Sequence, residues 1–232
     1  MQTRPLIEAL TDVRARIASA AGRGNRDPNA VTLVTVTKGH PPSAIEAALE
    51  AGLRDLGENR LGELQERVKQ FPSGDIRWHM VGRLQRRKAP AVRGVAHLLH
   101  SLDSLKLAER LERTADPGEP PVRALIQVNV TGERAKTGFA PEELDEDMER
   151  LLELGTLRLE GLMTMAPFTE DEGVLRRTFR TLRQLNDSLR ARFPEYLGEE
   201  LSMGMSNDFE IAVEEGSTMV RIGTALLGER PE

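Results

Sequence analysis

A run of strand-forming residues, Val31 to Thr37, ends on an amine, Lys38, and is followed by Gly39, His40 and two prolines. A free lysine has a pKa near ~10.4, so at pH 7 only about one in ~2,500 is a neutral nucleophile. An enclosed strand end disfavours the charge and makes imine formation with a carbonyl practical. The same lysine, left in the open, would simply cap a strand and reach water. A second candidate lies near the C-terminus. Gly223 and Thr224 follow the apolar strand "TMVRI", and Ser206 sits in "SMGMSND", 202–208. Backbone N–H groups and hydroxyls at such turns bind phosphate. Arg221 shares a strand face with Gly223, two residues on. Pointing inward it is a buried cation in need of partners; pointing outward it pairs with a helix carboxylate.

The elements that must position these residues alternate along the chain. Leu6, Leu10, Val13 and Ile17 recur at helical spacing and predict an N-terminal helix. "VTLVTV" then reads as a strand covered on both faces. Seven further strand candidates follow at 54–58, 77–82, 95–102, 122–130, 157–165, 199–205 and 218–223. Helical patterns separate them at about 43–52, 60–70, 83–91, 104–115, 141–154, 172–193 and 207–215. Strand–helix alternation of this kind means a parallel sheet. Eight such units predict an α/β chain folded as a single (β/α)8 TIM-type barrel, residues 1–232, with an extra N-terminal helix; an open doubly wound sheet is the alternative. Barrel chemistry sits at the C-terminal strand ends, where Lys38, Asn59, Ser206, Gly223 and Thr224 all fall.

Composition removes several classes of function. The chain has no cysteine, which excludes disulfides, thiolate metal sites and cysteine nucleophiles and suits a reducing cytoplasm. Its net charge of −5 argues against whole-surface nucleic-acid binding. The one dense basic run, Arg83 to Arg93, reads as a solvated helix face because no aromatic residues interleave with it. No stretch approaches the ~20 apolar residues of a membrane helix, and the N-terminal residues carry charges where a signal peptide is apolar. The four histidines show no metal spacing with carboxylates.

Taken together, "VTK", "GEN" (57–59), "WHMVGRLQ" (78–85), "HSLDS" (100–104), "KTGF" (136–139), "GLMTM" (161–165), "LSMGMSNDFE" (201–210) and "GSTMVRIGTALLG" (216–228) run in one order. This closely resembles the pyridoxal-phosphate homeostasis proteins, whose barrel is similar to the N-terminal domain of alanine racemase. The resemblance implies that Lys38 forms a Schiff base with pyridoxal 5′-phosphate. It implies that Ser206, Gly223 and Thr224 hold the phosphate and that Arg221 faces the pyridine nitrogen. Asn59, His79 and Met203 would line the cofactor. No metal and no catalytic residue is expected. Alanine racemases draw a second acid–base group, a tyrosine, from a further domain that this sequence is expected to lack. Its one tyrosine, Tyr196, is expected away from the barrel mouth. The expected role is therefore a cytoplasmic, monomeric carrier for vitamin B6 homeostasis, passing the cofactor to pyridoxal-phosphate-dependent apoenzymes. The alternative is a weakly active racemase or decarboxylase. Departures from the family pattern occur at Gly39, Arg60, Arg83 and Asn207, at the edge of the expected cofactor mouth.

Overall fold

The computed structural model describes residues 3–133 and 136–229. Its first element is helix α1, Thr3–Arg23. Leu6, Leu10, Val13 and Ile17 are all buried along one face of it, as their spacing predicts. Eight strands follow: β1 (Thr32–Val36), β2 (Asp55–Glu58), β3 (Arg77–Met80), β4 (Leu98–Leu102), β5 (Val122–Gln127), β6 (Leu157–Met163), β7 (Glu200–Ser202) and β8 (Met219–Ile222). They pair in parallel in chain order, and β8 closes onto β1 through Leu33 opposite Val220 and Val34 opposite Arg221. The closed barrel replaces the open-sheet alternative.

Helices α2 (Pro42–Glu50), α3 (Leu61–Gln70), α4 (Leu105–Arg113), α5 (Leu144–Leu152), α6 (Glu172–Arg192), α7 (Phe209–Glu214) and α8 (Thr224–Leu227) alternate with the strands. Between β3 and β4 the chain departs from the sequence expectation. Residues 83–91 do not form an α-helix; a 3-10 helix spans Arg86–Val92 with Pro90 inside it. Proline lacks the N–H that an α-helical turn needs there. The basic run consequently has no common face: Arg83 pairs with Asp103 at 3.2 Å, while Arg93 donates to the Leu111 carbonyl at 2.7 Å.

Strand alternation divides the apolar residues into two layers. Leu56, Met80, Leu99, Ile126, Leu162 and Val220 face the helices and join the main core. Leu98, Leu125, Met163 and Met219 form a separate small cluster inside the barrel. Polar side chains share the interior: His79, His100, Gln127, Ser202 and Arg221 are buried there. Helix α1 packs across α7 and α8. Arg16 fixes this contact by pairing with Glu210 at 2.8 Å and stacking on Phe209. No helix among the described residues is long and apolar enough to cross a membrane.

Candidate functional site

Lys38 stands at the tip of a four-residue turn. The Thr37 carbonyl accepts a hydrogen bond from the His40 N–H at 3.0 Å, and Gly39 takes a φ of +75°. A turn of this shape favours glycine at its third position, which accounts for Gly39 beside the lysine. The turn is braced from below. The Thr37 hydroxyl donates to buried Glu58 at 2.7 Å, and Arg67 reaches both Glu58 and the His40 carbonyl, the latter at 2.6 Å. Burial raises the Glu58 pKa, against the lowering effect of Thr37 and Arg67.

The next strand end holds Asn59 through a close backbone approach. A Cβ at Gly82 would collide with both the backbone and the side chain of Asn59. The Gly82 carbonyl is itself fixed by the Ser101 hydroxyl at 2.6 Å. The "WHMVG" and "HSLDS" segments thus meet at this corner, each supplying one small residue.

The last two loops are pinned to each other. Asp208 accepts from the Met205 N–H at 2.6 Å, and Gly204, at φ +97°, leaves no room for a Cβ beside Ala212. The Ser206 hydroxyl accepts from the Ala225 N–H at 3.4 Å, joining the loop after β7 to the turn after β8. Gly223 lies against β1, where a Cβ would come within 3.2 Å of the Val36 carbonyl.

These pieces enclose a cavity of about 310 Å³ lined by Val36, Lys38, Asn59, Val81, Met165, Met205, Ser206, Asn207, Arg221, Gly223 and Thr224. Arg221 points inward. It donates to the Ser202 carbonyl at 2.7 Å, to the Ser202 hydroxyl at 2.6 Å and to the Thr164 carbonyl at 2.9 Å. Burial lowers its pKa to about 10, with Asp208 acting the other way, so it remains a cation at neutral pH.

Six of the eight residues expected at the site meet here: Lys38, Asn59, Ser206, Arg221, Gly223 and Thr224. Two do not. His79 lies deeper in the barrel, 1% exposed, bonded to His100 at 2.9 Å and Asp55 at 3.1 Å. Met203 follows Ser202, whose side chain points into the barrel, so it faces outward and packs in the barrel–helix core. In their place the cavity takes Met165, Met205, Val81 and Val36. The alternation that puts Arg221 inside also puts Met219 inside, and the same phase applied to β1 would have found Val36. Met165 and Met205 belong to loops, where no period exists to follow. Tyr196 is buried elsewhere and donates its hydroxyl to Asn186 at 2.7 Å. Burial raises its pKa further. Among the described residues no cluster of His, Cys, Asp or Glu is arranged to hold a metal ion.

The family model described as "Alanine racemase, N-terminal domain" matches residues 10–231. The pyridoxal phosphate homeostasis protein of Aquifex aeolicus is 42% identical over 223 residues, covering 96% of this chain and 97% of that protein. Among solved structures, PipY of Synechococcus elongatus PCC7942 is 34% identical with a TM-score of 0.86, covering 96% of this chain and all of that one. It has also been solved with PLP bound. Alanine racemase of Clostridium difficile 630 shares the fold, with a TM-score of 0.77 at 16% identity over 58% of its own length. The chain belongs to the alanine racemase N-terminal domain family, and within it to the pyridoxal phosphate homeostasis proteins.

Proposed function

We propose that this protein binds and carries pyridoxal 5′-phosphate, holding it reversibly on Lys38 for vitamin B6 homeostasis. The observation that carries the reading is the meeting of an amine, two hydroxyl-bearing loops and a buried guanidinium around one cavity. Curated relatives of nearly equal length bear that function in their names, and a relative of known structure has been solved with PLP bound.

The residues present fit the cofactor. When bound, it supplies an aldehyde that condenses with a primary amine, releasing water, on a ring that also bears an anionic phosphate. Lys38 would supply the amine. Ser206 and Thr224 would donate to the phosphate, next to the chain at Gly223, which tolerates close approach because it has no side chain. Arg221 would face the ring nitrogen. A guanidinium has donors only and stays charged, so it pairs with an unprotonated nitrogen. That arrangement would keep the ring a poor sink for electrons. Asn59, Met165 and Met205 would line the remainder, and the cavity volume suits a small ligand held at one end of a barrel.

This chemistry favours a carrier over an enzyme. Racemisation needs an acid–base group on each side of the substrate carbon. Lys38 can serve one side. Tyr196, the chain's one tyrosine, is buried against Asn186 and does not line the cavity. We infer further that residues 1–232 act as one cofactor-binding unit, monomeric and cytoplasmic, and that pyridoxal-phosphate-dependent apoenzymes receive the cofactor. The absence of cysteine and the net negative charge support a reducing compartment and a partner other than nucleic acid.

The test is a titration of the purified protein with pyridoxal phosphate, followed by borohydride reduction and an alanine racemisation assay. A yellow 1:1 complex with little turnover is expected. Turnover near ordinary enzyme rates of ~10 s⁻¹ would contradict the carrier reading.

A further inference from the structure

Five polar side chains inside the barrel, Arg221, Ser202, His100, His79 and Asp55, form one continuous line from the cavity to the opposite end. Arg221 donates to the Ser202 hydroxyl at 2.6 Å; that oxygen lies 2.8 Å from His100 Nδ1. His100 Nε2 lies 2.9 Å from His79 Nδ1, and His79 Nε2 lies 3.1 Å from Asp55 Oδ1. Asp55 is held in turn by Arg77 at 2.6 Å, beside the lower cavity. His79, His100, Ser202 and Arg221 are all at most 5% exposed.

Hydrogen-bond bookkeeping fixes the direction of this line. A carboxylate only accepts, so His79 must carry a proton on Nε2. A neutral His79 then offers Nδ1 as an acceptor, which obliges His100 to carry its proton on Nε2. His100 Nδ1 is left as an acceptor and takes the Ser202 hydroxyl proton. The Ser202 oxygen can then accept from Arg221. Every donor points from Arg221 towards Asp55, and every bond is made with both rings neutral. Reversing the line without adding a proton would set the His79 lone pair against the Asp55 carboxylate. Reversal therefore takes one extra proton. Arg77 stands at the lower end, bonded to Asp55, and Arg221 at the upper end, bonded to Ser202. Burial first, then His79 and Arg221, hold His100 well below the ordinary histidine pKa.

We propose that Asp55, His79, His100 and Ser202 are positioning residues, a one-way hydrogen-bond chain that orients Arg221 and couples the cofactor end of the barrel to its lower face. The coupling to the cofactor rests on the reading of Arg221 given above; the chain itself does not.

Long-range ¹H–¹⁵N correlation on the cofactor-free protein with labelled histidine tests the chain directly. At pH 7.5 the proton should sit on Nε2 of both His79 and His100. A proton on Nδ1 of either ring overturns the proposal. Asp55→Ala should release the preference at His79 and also at His100, one ring further on, whereas Asp55→Asn, whose carbonyl still accepts, should keep it. An unmoved His100 in a folded Asp55→Ala protein also overturns it. Should Asp55→Ala not fold, Ser202→Ala carries the second arm. In the loaded protein it should leave both tautomers and the lysine adduct in place while moving the pH dependence of the visible absorbance by about one unit. An intact adduct on Lys38 with an unmoved titration would sink the coupling but not the carrier reading. No adduct at all would sink the carrier reading while the tautomer result stood alone.

Discussion

The two ends of the barrel carry similar residue types to opposite effect. The lower end holds the larger cavity, about 610 Å³, lined in part by Arg14, Arg54, Asp55 and Arg77. Its one carboxylate in that set, Asp55, is already taken by Arg77. Arg54 donates to the Leu49 and Leu53 carbonyls, and nearby Arg123 pairs with Glu160 at 2.6 Å. The upper end is smaller, about 310 Å³, and its polar groups come from separate loops converging on shared space. There the buried cation Arg221 donates to two carbonyls and a hydroxyl, and among the described residues no carboxylate is bonded to it. Size alone would choose the lower end. What marks the upper end is chemistry: an amine, hydroxyls and a guanidinium line one cavity.

The contrast breaks most sharply at Lys38. Lys38→Ala should abolish the yellow complex and all borohydride-stable adduct while leaving the circular dichroism unchanged; retained colour would show that another amine does the work. At the phosphate side, Thr224→Val keeps the shape and removes one hydroxyl. A hydrogen bond to a charged group is worth roughly 1.5–3 kcal/mol, so dissociation measured by equilibrium dialysis should be at least about 10-fold tighter in the parent protein.

Acid stability tests the interior between the two ends. His100 is held neutral in the fold, its pKa pushed below the ordinary value by burial first and then by His79 and Arg221. Below about pH 6.5 the unfolded chain takes up a proton there and the folded one does not, so stability falls by up to about 1.4 kcal/mol per pH unit for this residue. Above that pH both states are neutral and the term vanishes. Asp55 contributes lower down. Burial raises its pKa, but hydrogen bonds from His79 and Arg77 outweigh this and leave it at about 2, so its share is present above its ordinary value of 3.8 and is lost as the pH falls towards 2. Urea midpoints measured between pH 8 and 5 should decline below 6.5 in the parent and decline less in His100→Gln. The smallest effect belongs to the lower cavity. Arg14→Ala, at an exposed lining position, should change cofactor affinity by less than about 2-fold.

Much of this arrangement is legible along the chain because barrels turn sequence order into spatial order. Lys38, Asn59, Ser206, Gly223 and Thr224 each follow a strand, and strand ends converge once β8 pairs with β1. Alternation also puts Arg221 on the face of Gly223. Depth along the barrel is another matter. His79 follows the same rule of phase as Val81, yet only Val81 reaches the cavity, because two residues along a strand move a side chain by nearly 7 Å. Met203 fails for a different reason: β7 has only three residues, too few to fix its phase from the pattern. The pairs that close the lower end join residues such as Arg123 and Glu160, or Asp55 and His79, on neighbouring strands, and their register exists only after the barrel is built. The basic run at 83–93 misled in its own way, since its charges suggest a helix that Pro90 forbids.

The most direct measurement is a peptide map by mass spectrometry of the protein reduced with borohydride in the presence of stoichiometric pyridoxal phosphate. The account predicts one modified residue, the lysine that ends the first strand, at near-complete occupancy. A label spread over surface lysines, or placed on any other single one, would contradict it.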